Sequence, residues 1–175
     1  MKAKLMFMVQ EAGTAFGTIA QFISDGFAFV AELKECSIED FIKDKEYEVS
    51  VHFFCQDIYG IFEDEEDYYK NETGMSSESN IPVGAFNPTP EEKGWKPSPF
   101  NLINSKVIEI KDSSRINKFL PGKVSLFIGK VNGKEIEQSI YWQKKETAKD
   151  VKIGNIVSGI YWAELKLVER KSVEC

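Results

Sequence analysis

Two dipeptides constrain this chain more than any other feature: Asp25-Gly26 and Asn132-Gly133, each set between runs of alternating apolar residues. The two-residue turns that join antiparallel strands need positive φ at their centre, and Asn, Asp and Gly reach that region at least cost. GTIAQFI-SDG-FAFVAEL is therefore predicted to be a hairpin, with Phe22 opposite Phe29 and Ala20 opposite Ala31 on one face. The second hairpin, KVSLFIGKVNGKEIEQSIYW, aligns less simply. Strict pairing across Asn132-Gly133 sets Val124, Leu126 and Ile128 opposite Tyr141, Ser139 and Glu137. One extra residue on the first strand would match Ile128 with Ile136 and Val124 with Ile140, so a bulge at Gly129 is expected.

The same alternation recurs elsewhere. MKAKLMFMVQ imitates a secretory signal, but its apolar centre, Leu5 to Val9, is shorter than the roughly 7 to 15 residues such a segment needs. It is expected to be a first strand. EYEVSVHFFCQDIYGIF sets Val49, Val51, Phe53 and Cys55 against Ser50, His52 and Phe54, with a bend near Gly60. KVIEIK is a further strand, and NIVSGIYWAELKLVE a long last one bent at Gly159. Its faces are Val157, Tyr161, Ala163, Leu165 and Leu167 against Ile160, Trp162 and Val168. CSIEDFIKDK, with Ser37 as N-cap and Ile38, Phe41 and Ile42 on one side, is predicted to be a short helix. About six or seven strands with one short helix imply a mainly β, single domain over residues 1–175: a small antiparallel barrel, OB-like, or a sandwich. Residues 63–100 form a long acidic, Pro-rich loop in this reading, because five of the six prolines lie between Pro82 and Pro99.

Several function classes fall away. Three cysteines, Cys36, Cys55 and Cys175, make neither an even disulfide framework nor closely paired zinc ligands, and point to reduced thiols in a cytoplasm. No apolar run approaches the roughly 20 residues that span a bilayer, so no membrane partner is expected. The sole histidine, His52, has Cys55 as its nearest nucleophile, three residues away and on the opposite strand face. GxSxG, P-loop, GxGxxG and HExxH motifs are missing, and no catalytic residue, metal or cofactor is expected.

Charge is distributed unevenly. Residues 1–100 carry 8 basic and 19 acidic side chains, net −11, while residues 101–175 carry 14 and 9, net +5, which gives the whole chain its −6. The densest stretch is GIFEDEEDYY. Consecutive acids diverge in extended or helical backbone, so a cation site is disfavoured. Two readings stay open: a solvated loop, or an acidic strip whose rings anchor a basic protein surface. The strip comprises Phe62, Glu63, Asp64, Glu65, Glu66, Asp67, Tyr68 and Tyr69, joined by Trp95 from the Pro-rich loop; it could equally fold back on the chain's own basic half. Replacing Glu63, Asp64, Glu65 and Asp67 with Ala is expected to leave the fold intact and to weaken partner capture. The favoured function is a non-enzymatic interaction module, an inhibitor or immunity-type factor. The alternative is an OB-like barrel that holds single-stranded nucleic acid or a nucleotide through Trp142, Lys144, Lys145, Lys149, Lys152, Tyr161 and Trp162.

Overall fold

The computed structural model describes residues 1–10, 17–34, 40–71, 74–83, 98–111, 122–143 and 148–168. Along the chain run β1 (Lys2–Gln10), β2 (Thr18–Ser24), β3 (Phe27–Leu33), β4 (Glu46–Phe62), α1 (Glu65–Asn71), β5 (Ser79–Ile81), β6 (Phe100–Lys111), β7 (Lys123–Val131), β8 (Lys134–Trp142) and β9 (Ile156–Leu167). The mainly β reading holds. All nine strands belong to one sheet, in the order β1-β2-β3-β9-β4-β8-β7-β6-β5. Two additional pairings, β1 with β4 and β6 with β9, close that sheet on itself. β1, β2, β3, β9 and β4 make one circuit; β4, β8, β7, β6 and β9 make a second. The β4–β9 ribbon belongs to both.

The sheet is mixed rather than antiparallel, since β3 runs parallel to β9 and β4 parallel to β8. Parallel neighbours are joined by long connections, so no turn residue announces them in the sequence.

The first hairpin has the expected register, Ala20 opposite Ala31 and Phe22 opposite Phe29, with φ of 44° at Asp25 and 84° at Gly26. The Phe22 and Phe29 rings stack at 5.7 Å. The second hairpin turns at Asn132-Gly133 as expected, but the bulge at Gly129 is absent. Gly129 faces Ile136 in an unbroken ladder, Ile128 faces Glu137 and Val124 faces Tyr141. The inward face is the other one: Phe127, Gly129 and Val131 look in with Ile136, Gln138 and Ile140. Gly129 makes room for a polar pair there. A Cβ at this position would sit 2.3 Å from Gln138 Oε1 and 2.9 Å from Ser105, whose hydroxyl donates to Gln138 Oε1 at 2.6 Å. Register shifts fall on β4 instead, between Cys55 and Asp57 and between Ile58 and Gly60, opposite the Gly159 region of β9. A Cβ on Gly159 would lie 2.5 Å from the Asp57 carbonyl oxygen. The bends expected near Gly60 and Gly159 thus coincide.

Of the short helix expected over residues 36–45, Asp40 is helical, of the 3₁₀ type, and residues 41–45 do not continue it. Residues 35–39 lie outside the described residues, and residues 41–45 form a turn with φ of 65° at Asp44. Phe41 is buried against Tyr47, while Ile42 is 61% exposed, so the two do not share an apolar face. Among the described residues the α-helix sits further along, in the stretch expected to be loop.

The main core gathers Phe22, Phe27, Phe29 and Phe53, all fully buried, with Leu5, Val49 and Leu165. Burying each such ring contributes about 1.5–3 kcal/mol. On its β9 side, β3 pairs only through Glu32 and Leu33. Asn101 substitutes for a strand further back: its Oδ1 accepts from Val30 N–H at 3.0 Å and its Nδ2 donates to Val30 C=O at 2.8 Å. The side chain acts as a peptide unit and is fully buried. Asn101→Ala would orphan both groups, each costing about 1–3 kcal/mol. Urea unfolding of this variant is expected to show a loss of roughly 2–4 kcal/mol; a change below about 0.5 kcal/mol, the range of ordinary surface substitutions, would contradict the assignment.

Candidate functional site

A helix as short as α1 does not form alone, because nucleation is too costly. Its acidic start supplies the missing partners. Asp64 Oδ1 accepts from Asp67 N–H at 2.9 Å, and Asp67 Oδ2 accepts from Glu63 N–H at 2.9 Å. This reciprocal arrangement satisfies amides that a helix N-terminus leaves open. Negative charge in the first turn, Glu65, Glu66 and Asp67, also complements the helix dipole. Five consecutive acids are therefore a helix start, not a solvated loop. Asp64 and Asp67 thus act as caps, and loss of each costs about 1 kcal/mol of stability.

The rings divide. Phe62 and Tyr68 are buried, edge to face at 5.1 Å, in a small cluster with Ile156. Tyr68 Oη accepts from Asn104 Nδ2 at 2.8 Å and donates to the Met75 carbonyl at 3.3 Å. These two rings fasten α1 to the sheet, which corrects their assignment as partner anchors. Tyr69 is 52% exposed, and Glu63, Asp64, Glu65 and Glu66 are exposed as expected, with Asp67 half-buried. Glu65 pairs with Lys106 at 3.0 Å and Glu66 with Lys70 at 2.7 Å. Among the described residues, two of the five carboxylates have an ammonium partner and Glu63, Asp64 and Asp67 form no ion pair. Trp95 lies outside the described residues.

The acidic and basic parts of the chain adjoin. A groove of about 480 Å³ lies between Ile61, Phe62 and Glu63 on one side and Lys149, Lys152 and Ile153 on the other. Asn155 Nδ2 donates to the Glu63 carbonyl at 3.1 Å, and Asp150 pairs with Lys123 at 2.8 Å. Lys149 and Lys152 are exposed; Lys144 and Lys145 lie outside the described residues. The stacking platform expected nearby is not assembled. Tyr161 is fully buried in the core. Trp142 is 9% exposed, packs with Phe127 and Ile140, and donates its Nε1–H to Ser125 Oγ at 3.0 Å. Trp162 is half-buried, with Lys34 Nζ 5.7 Å from its ring.

The topology also assembles a constellation that sequence reasoning missed. His52 on β4 stands beside Glu137 of parallel β8, and Phe54 beside Ser139. His52 Nδ1 lies 2.8 Å from Glu137 Oε1, and His52 Nε2 lies 2.9 Å from Ser139 Oγ. Lys111 Nζ holds the other carboxylate oxygen at 2.9 Å. Across β9, Glu164 sits opposite His52. An ionised Glu137 can only accept, so it fixes the proton on Nδ1 and leaves Nε2 to accept from the Ser139 hydroxyl. Burial holds His52 below its ordinary 6.5, against the opposing pull of Glu137 and Glu164. Burial works against the Glu137 carboxylate too, but hydrogen bonds from Lys111 and His52 and their charges outweigh it and hold Glu137 below 4.5. Cys55 is no nucleophile: burial pushes its thiol up to about 12. Glu137 and Ser139 are two residues apart and so share a face, but nothing local reveals that β4 is their neighbour.

Among the described residues, no three His, Cys, Asp or Glu side chains are grouped to hold a metal ion, and no helix is long and apolar enough to cross a membrane.

The His52 cluster carries a pH signature. The unfolded imidazole takes up its proton near 6.5, whereas the folded one does so only at lower pH. Stability contributed by neutral His52 is thus present above 6.5 and is lost as pH falls below it. Urea midpoints are expected to drop between pH 7 and pH 5.5 in the wild type and to drop less in His52→Gln. Equal slopes would show that His52 is not desolvated. Glu137 contributes in a lower window, below 4.5, and does not confound this one.

No family model matches the chain, and neither a curated protein nor a solved structure matches it.

Proposed function

We propose that the protein is an interaction module that engages a basic protein surface through the outer face of α1, in the manner of an inhibitor or immunity-type factor. One observation carries this reading: α1 is fixed from beneath by Phe62, Tyr68 and Asn104, yet presents surplus carboxylates and the half-exposed Tyr69 outward. A short helix already held in place loses little freedom on binding, which favours affinity. Its surplus charge steers a cationic partner and raises the rate of encounter. Tyr69 supplies the amphipathic ring that such contacts use as an anchor.

The alternative, an OB-like barrel holding single-stranded nucleic acid or a nucleotide, has less support. Of its three rings, Tyr161 is inside the core and Trp142 is almost covered, so a row of exposed stacking faces is missing among the described residues.

The test uses the full chain and a panel of immobilised Lys/Arg-rich peptides. The triple variant Glu63→Gln, Asp64→Asn, Glu66→Gln removes charge, keeps a capping side chain at 64, and spares Asp67. Each exposed pair is worth about 0.2–1 kcal/mol, so the triple variant is expected to bind roughly tenfold more weakly than wild type. Undiminished binding by the variant would remove α1 as the contact. Tight, steeply salt-dependent binding of a short oligonucleotide would favour the alternative.

A further inference from the structure

We propose that Ser139, His52 and Glu137 form a nucleophilic site that takes activated acyl groups, an activity separate from partner binding through α1. The three side chains have the chemistry and order of a serine nucleophile, its general base and the carboxylate that orients the base. Both linking contacts are at hydrogen-bond length, 2.9 Å from His52 Nε2 to Ser139 Oγ and 2.8 Å from His52 Nδ1 to Glu137 Oε1. Strand geometry holds them: two adjacent parallel strands position His52 against Glu137 and Ser139 without any loop. The partners of His52 are distant in the chain, 85 and 87 residues away.

In the reaction, Ser139 Oγ attacks the acyl carbon of an aryl ester while its proton passes to His52 Nε2. The carbon–oxygen bond to the leaving group then breaks, a phenolate departs, and the imidazolium releases its proton to solvent, which restores neutral His52. Water next attacks the acyl-Ser139 ester and gives a proton to His52; the C–Oγ bond breaks, Oγ recovers a proton from the imidazolium, and the carboxylic acid leaves ionised. Glu137 stays ionised throughout and acts as a positioning residue, with Lys111 on its far oxygen.

The surroundings limit the substrate class. β8 is laddered to β7 at Ser139 and Ile140 and to β4 at the same residues, so their main-chain amides are committed to the sheet. A developing oxyanion has no pair of free backbone donors in that ladder, and such donors are usually worth about 10²–10³ in rate. Activated aryl esters suit this site because their leaving group departs without a donated proton. Unactivated esters and amides do not. Neutral His52 is the form that serves as base, and burial keeps it so at pH 7.

The test incubates the full-length protein with an alkyl fluorophosphonate, in which Ser139 Oγ would displace fluoride at phosphorus, and locates the adduct by peptide mass mapping. Modification of Ser139 is expected, with a rate lower by about 10²-fold or more in His52→Gln, the usual contribution of a general base. The rate should follow a single inflection below pH 6.5, and Glu137→Gln should move that inflection to lower pH by removing the charge that favours imidazolium. Hydrolysis of p-nitrophenyl acetate should be lost in Ser139→Ala. An unmodified Ser139 under conditions that label an ordinary serine hydrolase would overturn the proposal. So would modification that proceeds equally in His52→Gln. Both results are read on proteins whose far-ultraviolet dichroism matches wild type, and the wild-type reaction alone decides the first.

Discussion

The ladder between β4 and β9 is the constraint on which the remaining structure depends. Twelve residue pairs join the two strands, from Val49 opposite Leu167 to Phe62 opposite Ile156. Neither strand has the other as a sequence neighbour, so this contact closes a loop of roughly a hundred residues before it gains anything, an entropic cost that later contacts do not repeat. Once formed, its two edges seat everything else. β1 and β8 add to successive parts of the β4 edge, and β3 and β6 to successive parts of the β9 edge. The hairpins β2–β3 and β7–β8 then complete the two circuits. Closure leaves few open strand edges, the usual liability of a large sheet.

The same ribbon places the chemistry. Its inward residues, Val51, Phe53, Ala163 and Leu165, build the core, so alternation turns His52, Phe54, Trp162 and Glu164 to the other face. β8 then brings Glu137 and Ser139 to that face beside His52. At its far end the ribbon terminates in Phe62, which receives Tyr68 and thereby docks α1. The two regions proposed to act, an acidic helix face and a histidine cluster, are thus positioned by one face, at different lengths, of one pair of strands.

Local signals in the sequence match the structure where a local cause decides the outcome. Asp25-Gly26 and Asn132-Gly133 demand positive φ, and both turns are there. The stretch from Glu46 to Phe62 alternates cleanly and is β4 along its whole length. Errors arise where a distant residue decides. At Gly129 the visible choice was between apolar pairs, but the fold prefers to tuck Ser105 and Gln138 into the space a glycine leaves. The acidic run read as repulsion, because the stabilising groups are amides of its own backbone and rings that reach β9 and β6. His52 read as isolated because its partners come from a parallel strand with no connecting turn. Strand existence was legible in pattern; strand neighbourhood, and with it the site, was not.

Native-state hydrogen exchange measures the central claim most directly. If the β4–β9 ladder holds both circuits together, amides of residues 49–55 and 160–167 should exchange slowest, and together, with the free energy of global unfolding. The β2–β3 and β7–β8 turns should open locally with lower free energy. Ladder amides that exchange faster than those of either hairpin would contradict the account, since each circuit would then stand without the ribbon they share.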